Sequence, residues 1–293
     1  MPEETVVSFK QVDVFTTVRY KGNPVAVILH GDDLATEQMQ QVANWTNLSE
    51  TTFVVPTTTE KADYRVRIFT PKHELPFAGH PTIGTAHALL ESRLITPKDG
   101  VIVQECDAGL VQLTVKESDD GNHIIEFELP SRGITPLSAS QIDTLEECLG
   151  APVLRQYEPA TFDVGPLWLV AQLSDAETVL RLTPDFAKMA SADFGSATGV
   201  TVFGRYGSGT ADIEVRSFVP SIGVNEDPVC GSGNGAVAAF IRQTGQTEGF
   251  PEVIQSSQGA CLQRSGYPTL TITADKLKVG GKAVTCVSGH ICI

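Results

Sequence analysis

The chain has 293 residues, a formal net charge of −14, and 41% hydrophobic and 19% charged residues. Its length exceeds that of the usual single domain, so we expect two mid-sized domains, and its composition argues against disorder and coiled coil. The acidic balance argues against a nucleic-acid or anionic-membrane partner, because such binders present clustered Lys and Arg. Small molecules and proteins are the expected partners.

The predicted elements of the first half alternate between strand pairs and helices. FKQVDVFT and NPVAVIL flank a Lys-Gly-Asn-Pro turn, and TTFVV and YRVRIFT flank a polar turn, so each pair predicts a β-hairpin. Apolar residues at helical spacing predict a first helix from Thr36 to about Trp45 and a second from Pro81 to Leu90. Because proline suits the first position of a helix, His80 is the predicted N-cap of the second.

The second half of the chain repeats the first. Glu50–Pro71 aligns without gaps on Gly199–Pro220, an offset of 149 residues, with seven identities in 22 pairs. The likeness resumes between Glu74–Ala86 and Glu226–Ala238, where Ser232 is expected at or near the N-cap of an apolar helix. A period of this length is too long for a solenoid and predicts two equivalent domains facing each other across a cleft.

The two helix starts predict an anion-binding clamp. A helix N-terminus presents unpaired N–H groups and a partial positive charge, and Gly79 and Gly231, placed just before the caps, let a ligand approach the backbone. We expect a carboxylate there, or less readily a phosphate. GSGNG lacks the spacing of a dinucleotide fingerprint, and HELPFAGH is not H-E-x-x-H, so we expect no cofactor and no metal.

Residues that break the repeat are the candidates for chemistry. Glu50 aligns with Gly199, so the first half alone carries this carboxylate, and a partly buried Glu can move a proton to and from carbon. The structural alternative is an exposed Glu at a strand start. His80 aligns with Ser232, and an imidazole can hold a carbonyl or carboxylate of a substrate.

Asp227 and Cys230 break the repeat from the second half, where they align with Leu75 and Ala78. Asp227 can hold a hydroxyl, an amine or the histidine, although an Asp-Pro pair also simply forms turns. The predicted helix start beside Cys230 can lower the pKa of its thiol, whereas a lone buried cysteine is usually inert. Because the chain offers no paired thiol, a two-base thiol epimerisation is not expected, while a one-thiol epimerase or dehydratase that uses Glu50 stays open.

The ordered motifs QVDVFT…GNPVAVIL, NLSETTFV, RIFTPKHELPFAGHPTIG, EDPVCGSGNGAVAAF and QGACLQRSG span nearly the whole chain. Together they resemble the PhzF-like proteins of phenazine biosynthesis, which are related to diaminopimelate epimerase. The resemblance implies the α/β (α+β) class, with two similar domains, each a curved, mostly antiparallel sheet or barrel around a central helix. It also implies a homodimer. We expect one domain over residues 1–130 plus 280–293, and the other over 131–279.

The resemblance also implies roles for individual residues. Glu50 corresponds to the catalytic glutamate of the family, His80 and Asp227 to its substrate-positioning pair, and Ser232 to the serine at the second helix start. In the phenazine enzyme this set isomerises a dihydro-hydroxyanthranilate by moving a proton between carbons without a cofactor. Ala78 stands where the related epimerases have their first catalytic cysteine, so two-cysteine racemisation is not expected.

The sequence therefore predicts a cofactor-independent isomerase of a small carboxylic acid, with Glu50 as the acid/base and His80 and Asp227 as orienting groups. Its six cysteines form no C-x-x-C pair, its first residues are acidic, and no apolar run could span a membrane, so we expect a cytoplasmic protein without a membrane partner. A non-catalytic small-molecule-binding protein is the other alternative. The predicted substrate-binding residues are Ser49, Gly79, Pro81, Thr82, Cys230, Gly231, Ser232 and Gly233.

Overall fold

The computed structural model of the protein describes residues 5–118, 120–130 and 133–293. The chain divides into two compact units, Met1–Phe127 with Gly280–Ile293 (unit 1), and Glu128–Val279 (unit 2). Residue 131, where the sequence predicts the second domain to begin, lies outside the described residues. None of the helices in the described ranges is both long enough and apolar enough to cross a membrane.

The first part of the chain alternates strands with two helices. Its elements are β1 Val6–Val14, β2 Asn23–Ile28, α1 Thr36–Thr46, β3 Thr51–Val55, β4 Tyr64–Phe69, β5 Glu74–Leu75, α2 Gly79–Glu91, β6 Val101–Cys106, β7 Gly109–Glu117 and β8 His123–Glu128. Both predicted hairpins are confirmed, because β1 pairs antiparallel with β2 and β3 pairs antiparallel with β4. The first predicted helix is confirmed within one residue at its end.

The remaining elements follow the same plan. They are β9 Gly133–Pro136, α3 Ala139–Leu149, β10 Ala160–Asp163, β11 Leu167–Gln172, α4 Ala176–Arg181, α5 Phe186–Ser191, β12 Gly199–Arg205, β13 Ile213–Val219, β14 Val224–Asp227, α6 Gly231–Gln243, β15 Val253–Gln258, β16 Thr269–Ile272, β17 Leu277–Gly281 and β18 Ala283–Cys292. The last strand, β18, belongs to unit 1 and pairs antiparallel with β1 along its length.

The two units have the same strand order and the same strand directions. In unit 1 the sheet runs β18-β1-β2-β3-β4-β6-β7-β8, and the pairs β2–β3 and β4–β6 are parallel while the others are antiparallel. In unit 2 it runs β9-β10-β11-β12-β13-β15-β16, with β11–β12 and β13–β15 as the parallel pairs. The predicted class, mixed α/β with a mostly antiparallel sheet, is confirmed.

Each sheet surrounds one apolar helix. In unit 1, α2 packs on β1, β2, β3 and β18, and in unit 2, α6 packs on β10, β11, β12 and β16. Residues on all sides of both helices are buried, a pattern typical of a helix inside a core. Small side chains allow this close approach: a Cβ at Gly84 would lie 2.3 Å from the Val25 side chain, and one at Gly235 would lie 2.1 Å from Leu129.

The identities shared by the two halves build the framework of each unit. Arg67 forms a bidentate ion pair with Glu74 in unit 1, and the aligned Arg216 forms the same pair with Glu226 in unit 2. Asp63 and the aligned Asp212 each accept a backbone N–H from the next parallel strand. The repeat found in the sequence is therefore a repeat of structural contacts.

The structure corrects the predicted N-cap of α2 and places Ser232, expected at or near the cap of α6, as the second residue of that helix. Helix α2 begins at Gly79, with Ala78 as its N-cap, so His80 lies in the first turn, and α6 begins at Gly231, with Cys230 as its N-cap. Proline fits the third helical position as well as the first, because the first N–H groups of a helix have no intrahelical partner. The cap assigned from Pro81 was therefore two residues too late.

Candidate active site

Glu50 and His80 approach each other in unit 1. Glu50 lies between α1 and β3, and His80 is the second residue of α2. Glu50 Oε2 lies 3.3 Å from His80 Nε2, and only 16% and 8% of these two side chains are exposed. Among the described residues, His80 Nε2 has no hydrogen-bond partner. This nitrogen is therefore available to a substrate, with the carboxylate beside it.

Burial keeps the imidazole of His80 uncharged. It lowers the pKa of His80 to about 3, and a hydrogen bond to the backbone of Pro24 opposes this shift only in part. Asn23 Nδ2 lies 3.5 Å from His80 Nδ1, on the other side of the ring. A neutral imidazole has one donor and one acceptor nitrogen, so His80 can orient a polar group without carrying a charge.

The residues next to His80 have structural contacts of their own. The N–H of Thr82 bonds to the Ala78 carbonyl within the helix, and its hydroxyl accepts a hydrogen bond from Gln104 at 3.0 Å. A Cβ at Gly79 would lie 2.9 Å from the Phe127 ring, so packing alone requires a glycine there. A substrate contact of Thr82 would therefore compete with two internal hydrogen bonds. Of the other predicted substrate-binding residues of unit 1, Pro81 is buried and Ser49 is exposed.

Asp227 and Cys230 lie together in unit 2. Asp227 Oδ1 accepts a hydrogen bond from the N–H of Val229 at 3.0 Å. Burial raises the pKa of Asp227 to about 6, while the hydrogen bonds from Val229 and Cys230 oppose this rise and the charge of Glu226 adds to it. A carboxyl group that titrates near neutral pH can act as an acid or a base, or hold a polar substrate group in either protonation state.

The thiol of Cys230 caps α6 from a buried position. Its sulfur accepts a hydrogen bond from the N–H of Gly233 at 3.3 Å. Burial, followed by the charge of Asp227, raises the pKa of Cys230 well above the ordinary thiol value. Of the two alternatives for this thiol, the raised pKa favours the inert one, because desolvation outweighs the favourable hydrogen bonds.

Ser232, the second residue of α6, accepts a hydrogen bond from a side chain of the sheet. Trp168 Nε1 in β11 donates a hydrogen bond to Ser232 Oγ at 2.9 Å, and Ser232 Oγ lies 3.6 Å from Cys230 Sγ. A Cβ at Gly233 would lie 2.5 Å from Ser217 Oγ, so this position also needs a glycine. Sequence reasoning assigned Trp168 no role.

Gln258 ties the second helix start to the neighbouring strand. Its Oε1 accepts hydrogen bonds from the N–H of Cys230 at 3.1 Å and from Asn234 Nδ2 at 2.7 Å, and its Nε2 donates to the carbonyl of Asp227 at 3.0 Å. Sequence reasoning assigned it no role, although QGACLQRSG, one of the motifs of the family resemblance, begins at this residue. Asn23, beside His80, was likewise seen only as part of a turn.

The structure brings the predicted residues together in two groups, one in each unit. The group in unit 1 pairs a carboxylate with a neutral imidazole, and the group in unit 2 pairs a carboxyl group with a protonated thiol and a hydroxyl. Within residues 5–118, 120–130 and 133–293, no three His, Cys, Asp or Glu side chains are arranged to hold a metal ion. Proton transfer and hydrogen bonding are the chemistry that these side chains offer.

Comparison with known proteins assigns the chain to a family. Residues 12–289 match the family described as Phenazine biosynthesis-like protein. Antisense-enhancing sequence 1 of Schizosaccharomyces pombe is 46% identical over 293 residues, covering 96% of this chain and 97% of that protein. The trans-2,3-dihydro-3-hydroxyanthranilate isomerase of Pseudomonas chlororaphis is 31% identical over 297 residues, covering 96% and 97%.

A solved structure has the same fold. The crystal structure of the Bacillus anthracis phenazine biosynthesis protein of the PhzF family matches with a TM-score of 0.87 and 23% identity, covering 99% of this chain and 100% of that one. The resemblance stated from the motifs is thereby confirmed, and the isomerase names of the relatives confirm the predicted enzyme class. The chain belongs to the PhzF family of phenazine biosynthesis-like proteins.

Proposed function

We propose that the protein is a cofactor-independent isomerase that moves a proton between two carbon atoms of a small carboxylic acid. Glu50 is the acid/base, and His80 and Asp227 orient the substrate. The observation that carries this proposal is the Glu50 carboxylate 3.3 Å from the neutral imidazole of His80, in a largely buried setting. Such a carboxylate is largely removed from water, and the imidazole beside it can orient the substrate whose proton the carboxylate takes.

The proposed reaction has two proton transfers and no net change in composition. Glu50 takes a proton from one carbon, and the electron pair of that C–H bond moves into the conjugated system of the substrate. The same carboxyl group then returns the proton to a second carbon. During the first transfer negative charge develops on the substrate carboxylate or carbonyl, where the N-termini of α2 and α6 favour it electrostatically.

His80 and Asp227 hold the substrate in this proposal. The neutral imidazole donates or accepts one hydrogen bond, which fixes the orientation of the ring or chain next to Glu50. Asp227 titrates near pH 6, so it can hold a hydroxyl or an amine of the substrate. The isomerase of Pseudomonas chlororaphis carries trans-2,3-dihydro-3-hydroxyanthranilate in its name, which makes cyclic dienoic acids the first substrate class to test.

The one-thiol alternative requires Cys230 to ionise. A thiolate, and not a thiol, is the base or nucleophile in such chemistry, and the raised pKa of Cys230 keeps the thiol protonated at neutral pH. The structural role of the sulfur as the cap of α6 accounts for its position. The acid/base proposal therefore rests on Glu50 alone.

Proton NMR in D2O tests the proposal with a panel of cyclic dienoic acids, amino acids and hydroxy acids. We expect wild-type protein to introduce deuterium at a carbon of at least one compound and Glu50→Gln to lose this exchange. Glu37→Gln, an exposed glutamate in the first turn of α1, is the matched control and should exchange like wild type. Exchange by Glu50→Gln at the wild-type rate, or tight binding without exchange by wild type, would contradict the proposal.

A further inference from the structure

Unit 2 contains a second cavity with a buried carboxyl group. It has a volume of about 240 Å³ and lies between the ends of β12 and β13 and the segment that follows β15. This volume corresponds to about eight water molecules, so the cavity suits a ligand smaller than a typical drug. The side chains that give it chemical character are those of Tyr206, Thr210, Glu214, Ser257, Arg264 and Tyr267.

Glu214 is the group in this cavity that lacks a full set of partners. It is 2% exposed, and its Oε2 accepts hydrogen bonds from the Tyr206 hydroxyl at 2.8 Å and from the Ser257 hydroxyl. Its Oε1 is buried and has no hydrogen-bond partner within the described ranges. Burial raises the pKa of Glu214, as expected for a carboxylate whose charge is incompletely compensated. A donor supplied by a ligand would complete the site.

The fold does not demand this arrangement, as the corresponding position in unit 1 shows. Glu214 aligns with Arg65, which lies 3.8 Å from Glu105 on the neighbouring parallel strand. Glu105 in turn accepts hydrogen bonds from the backbone and hydroxyl of Thr58. The same place in the repeat is thus satisfied internally in unit 1 and left open in unit 2.

The cavity and helix α6 lie on opposite faces of β13, although Gln258, which bonds to Cys230 and Asp227, also lines the cavity. Glu214 and Ser217 are three residues apart on β13, so their side chains point to opposite faces of the sheet. Ser217 lies on the face of α6, where its hydroxyl would meet a Cβ at Gly233, whereas Glu214 faces the cavity. None of the roles proposed for Glu50, His80 or Asp227 involves Glu214.

The lining identifies the ligand by its charges. An ammonium group offers the N–H donors that Glu214 Oε1 lacks, and it compensates a buried carboxylate better than a neutral donor. The rings of Tyr206 and Tyr267 favour a cation, whereas the guanidinium of Arg264, which also lines the cavity, favours an anionic group on the same ligand. One carboxylate and one guanidinium together complement a zwitterion.

We propose that this cavity binds a small amino acid, with its ammonium group on Glu214 Oε1 and its carboxylate towards Arg264. The remaining hydroxyl groups of the lining hydrogen-bond to whatever polar atoms the ligand has left. The proposal is independent of the function assigned to Glu50 and requires no chemical step.

Isothermal titration calorimetry of the full chain with the common amino acids tests the proposal. We expect saturable millimolar or tighter binding of at least one of them, and at least about tenfold weaker binding by Glu214→Gln, because a charge-assisted hydrogen bond is lost. Tyr206→Phe, which removes one donor to the carboxylate and keeps the ring, should alter the affinity severalfold. Glu177→Gln, an exposed position in α4, should bind like wild type.

Analogues and a second site variant sharpen the result. The decarboxylated amine and the deaminated acid of the best amino acid should each bind at least about tenfold more weakly than the amino acid. Glu37→Gln should retain wild-type affinity, because Glu37 is exposed on α1 in unit 1. Absence of binding by every amino acid, equal binding by Glu214→Gln, equal binding by the amine, or loss of binding in Glu37→Gln would overturn the proposal.

Discussion

The first turns of α2 and α6 begin alike and carry different chemistry. Each helix starts at a glycine that follows an extended N-cap residue, and neither first turn contains an acidic residue. The second residue of α2 is His80, which faces a carboxylate from another segment. The second residue of α6 is Ser232, which accepts a hydrogen bond from Trp168. The same helical position thus presents a neutral imidazole in one unit and a hydrogen-bonded hydroxyl in the other.

This difference separates the framework of the repeat from its function. The matched arginine, glutamate and aspartate residues make the same contacts in both units, so the repeat preserves what each unit needs to fold. The residues without a match, Glu50 and His80 in unit 1 and Asp227 and Cys230 in unit 2, are those that can bind or move a proton. Substitutions at matched and unmatched positions should therefore fail in different ways.

The largest expected effect concerns turnover. Glu50→Gln should lower kcat about 10²- to 10⁴-fold, the usual contribution of a general acid or base, while Asp227→Asn should lower it about 10- to 100-fold and raise KM. Initial rates on the substrate found by deuterium exchange measure both. Equal losses in kcat for the two variants would mean that both units take part in the proton transfer.

The next effect concerns stability and compares two matched ion pairs. Arg216 and Glu226 are both 5% exposed, whereas Arg67 and Glu74 are 23% and 34% exposed. Arg216→Ala should cost about 3–5 kcal/mol of unfolding free energy because it strands a buried carboxylate, and Arg67→Ala should cost less than about 1 kcal/mol. Denaturant unfolding measures both variants. Similar costs would show that burial does not determine how much each ion pair contributes to stability.

The pH dependence of stability should distinguish His80 from Asp227. The pKa of His80 falls from 6.5 to about 3 on folding, so the unfolded chain binds the extra proton and stability drops as the pH falls through this window. The pKa of Asp227 rises from 3.8 to about 6, so here the folded chain binds the extra proton and stability drops as the pH rises. Each group contributes a slope of up to about 1.4 kcal/mol per pH unit.

Unfolding curves between pH 4 and pH 6 therefore separate the two variants. His80→Gln should make the protein less sensitive to acid, and Asp227→Asn should make it more sensitive, because each removes one of two opposing slopes. The two windows overlap in this range, because the pKa is about 3 for folded His80 and about 6 for folded Asp227. Slopes that change in the same direction would contradict the assignment.

The smallest expected effect concerns the hydrogen bond from Trp168 to Ser232 in unit 2. Trp168→Phe removes the N–H that donates to Ser232 and should cost about 0.5–1.5 kcal/mol of stability. Trp45→Phe is a suitable control, because Trp45 is 77% exposed and should contribute nothing measurable. Denaturant unfolding compares the two. A cost for Trp168→Phe no larger than that of the control would show that the hydrogen bond is replaced by one to water.

Local patterns predicted much of the fold. In the site they identified His80 and Cys230, but not their hydrogen-bond partners Asn23 and Gln258. Alternation and turn residues identified the hairpins β1–β2 and β3–β4, and the repeat pointed to a second unit with the same plan. These features depend on neighbours in the chain. The cap of α2 was misplaced because a proline tolerates more than one position in the first turn, so it locates the start of a helix only to within that turn.

The remaining parts of the site depend on contacts between distant residues. Asn23 lies 57 residues from His80, and Gln258 lies 28 residues from Cys230, so no local spacing in the sequence indicates either contact. The protonation of Cys230 could not be predicted for another reason. A helix start lowers the pKa of a thiol and burial raises it, and the depth of burial is a property of the packed unit.

The pairing of β1 with β18 imposes an order on the synthesis of the protein. Unit 2 is one continuous stretch of chain, so all of its strands emerge from the ribosome before β18 does. Unit 1 must keep one edge of β1 open until then, even though β1 is made first. We therefore expect unit 2 to become resistant to protease on nascent chains before unit 1. The unit that carries Glu50 would then be completed last, and active protein would accumulate only after the late strand is released.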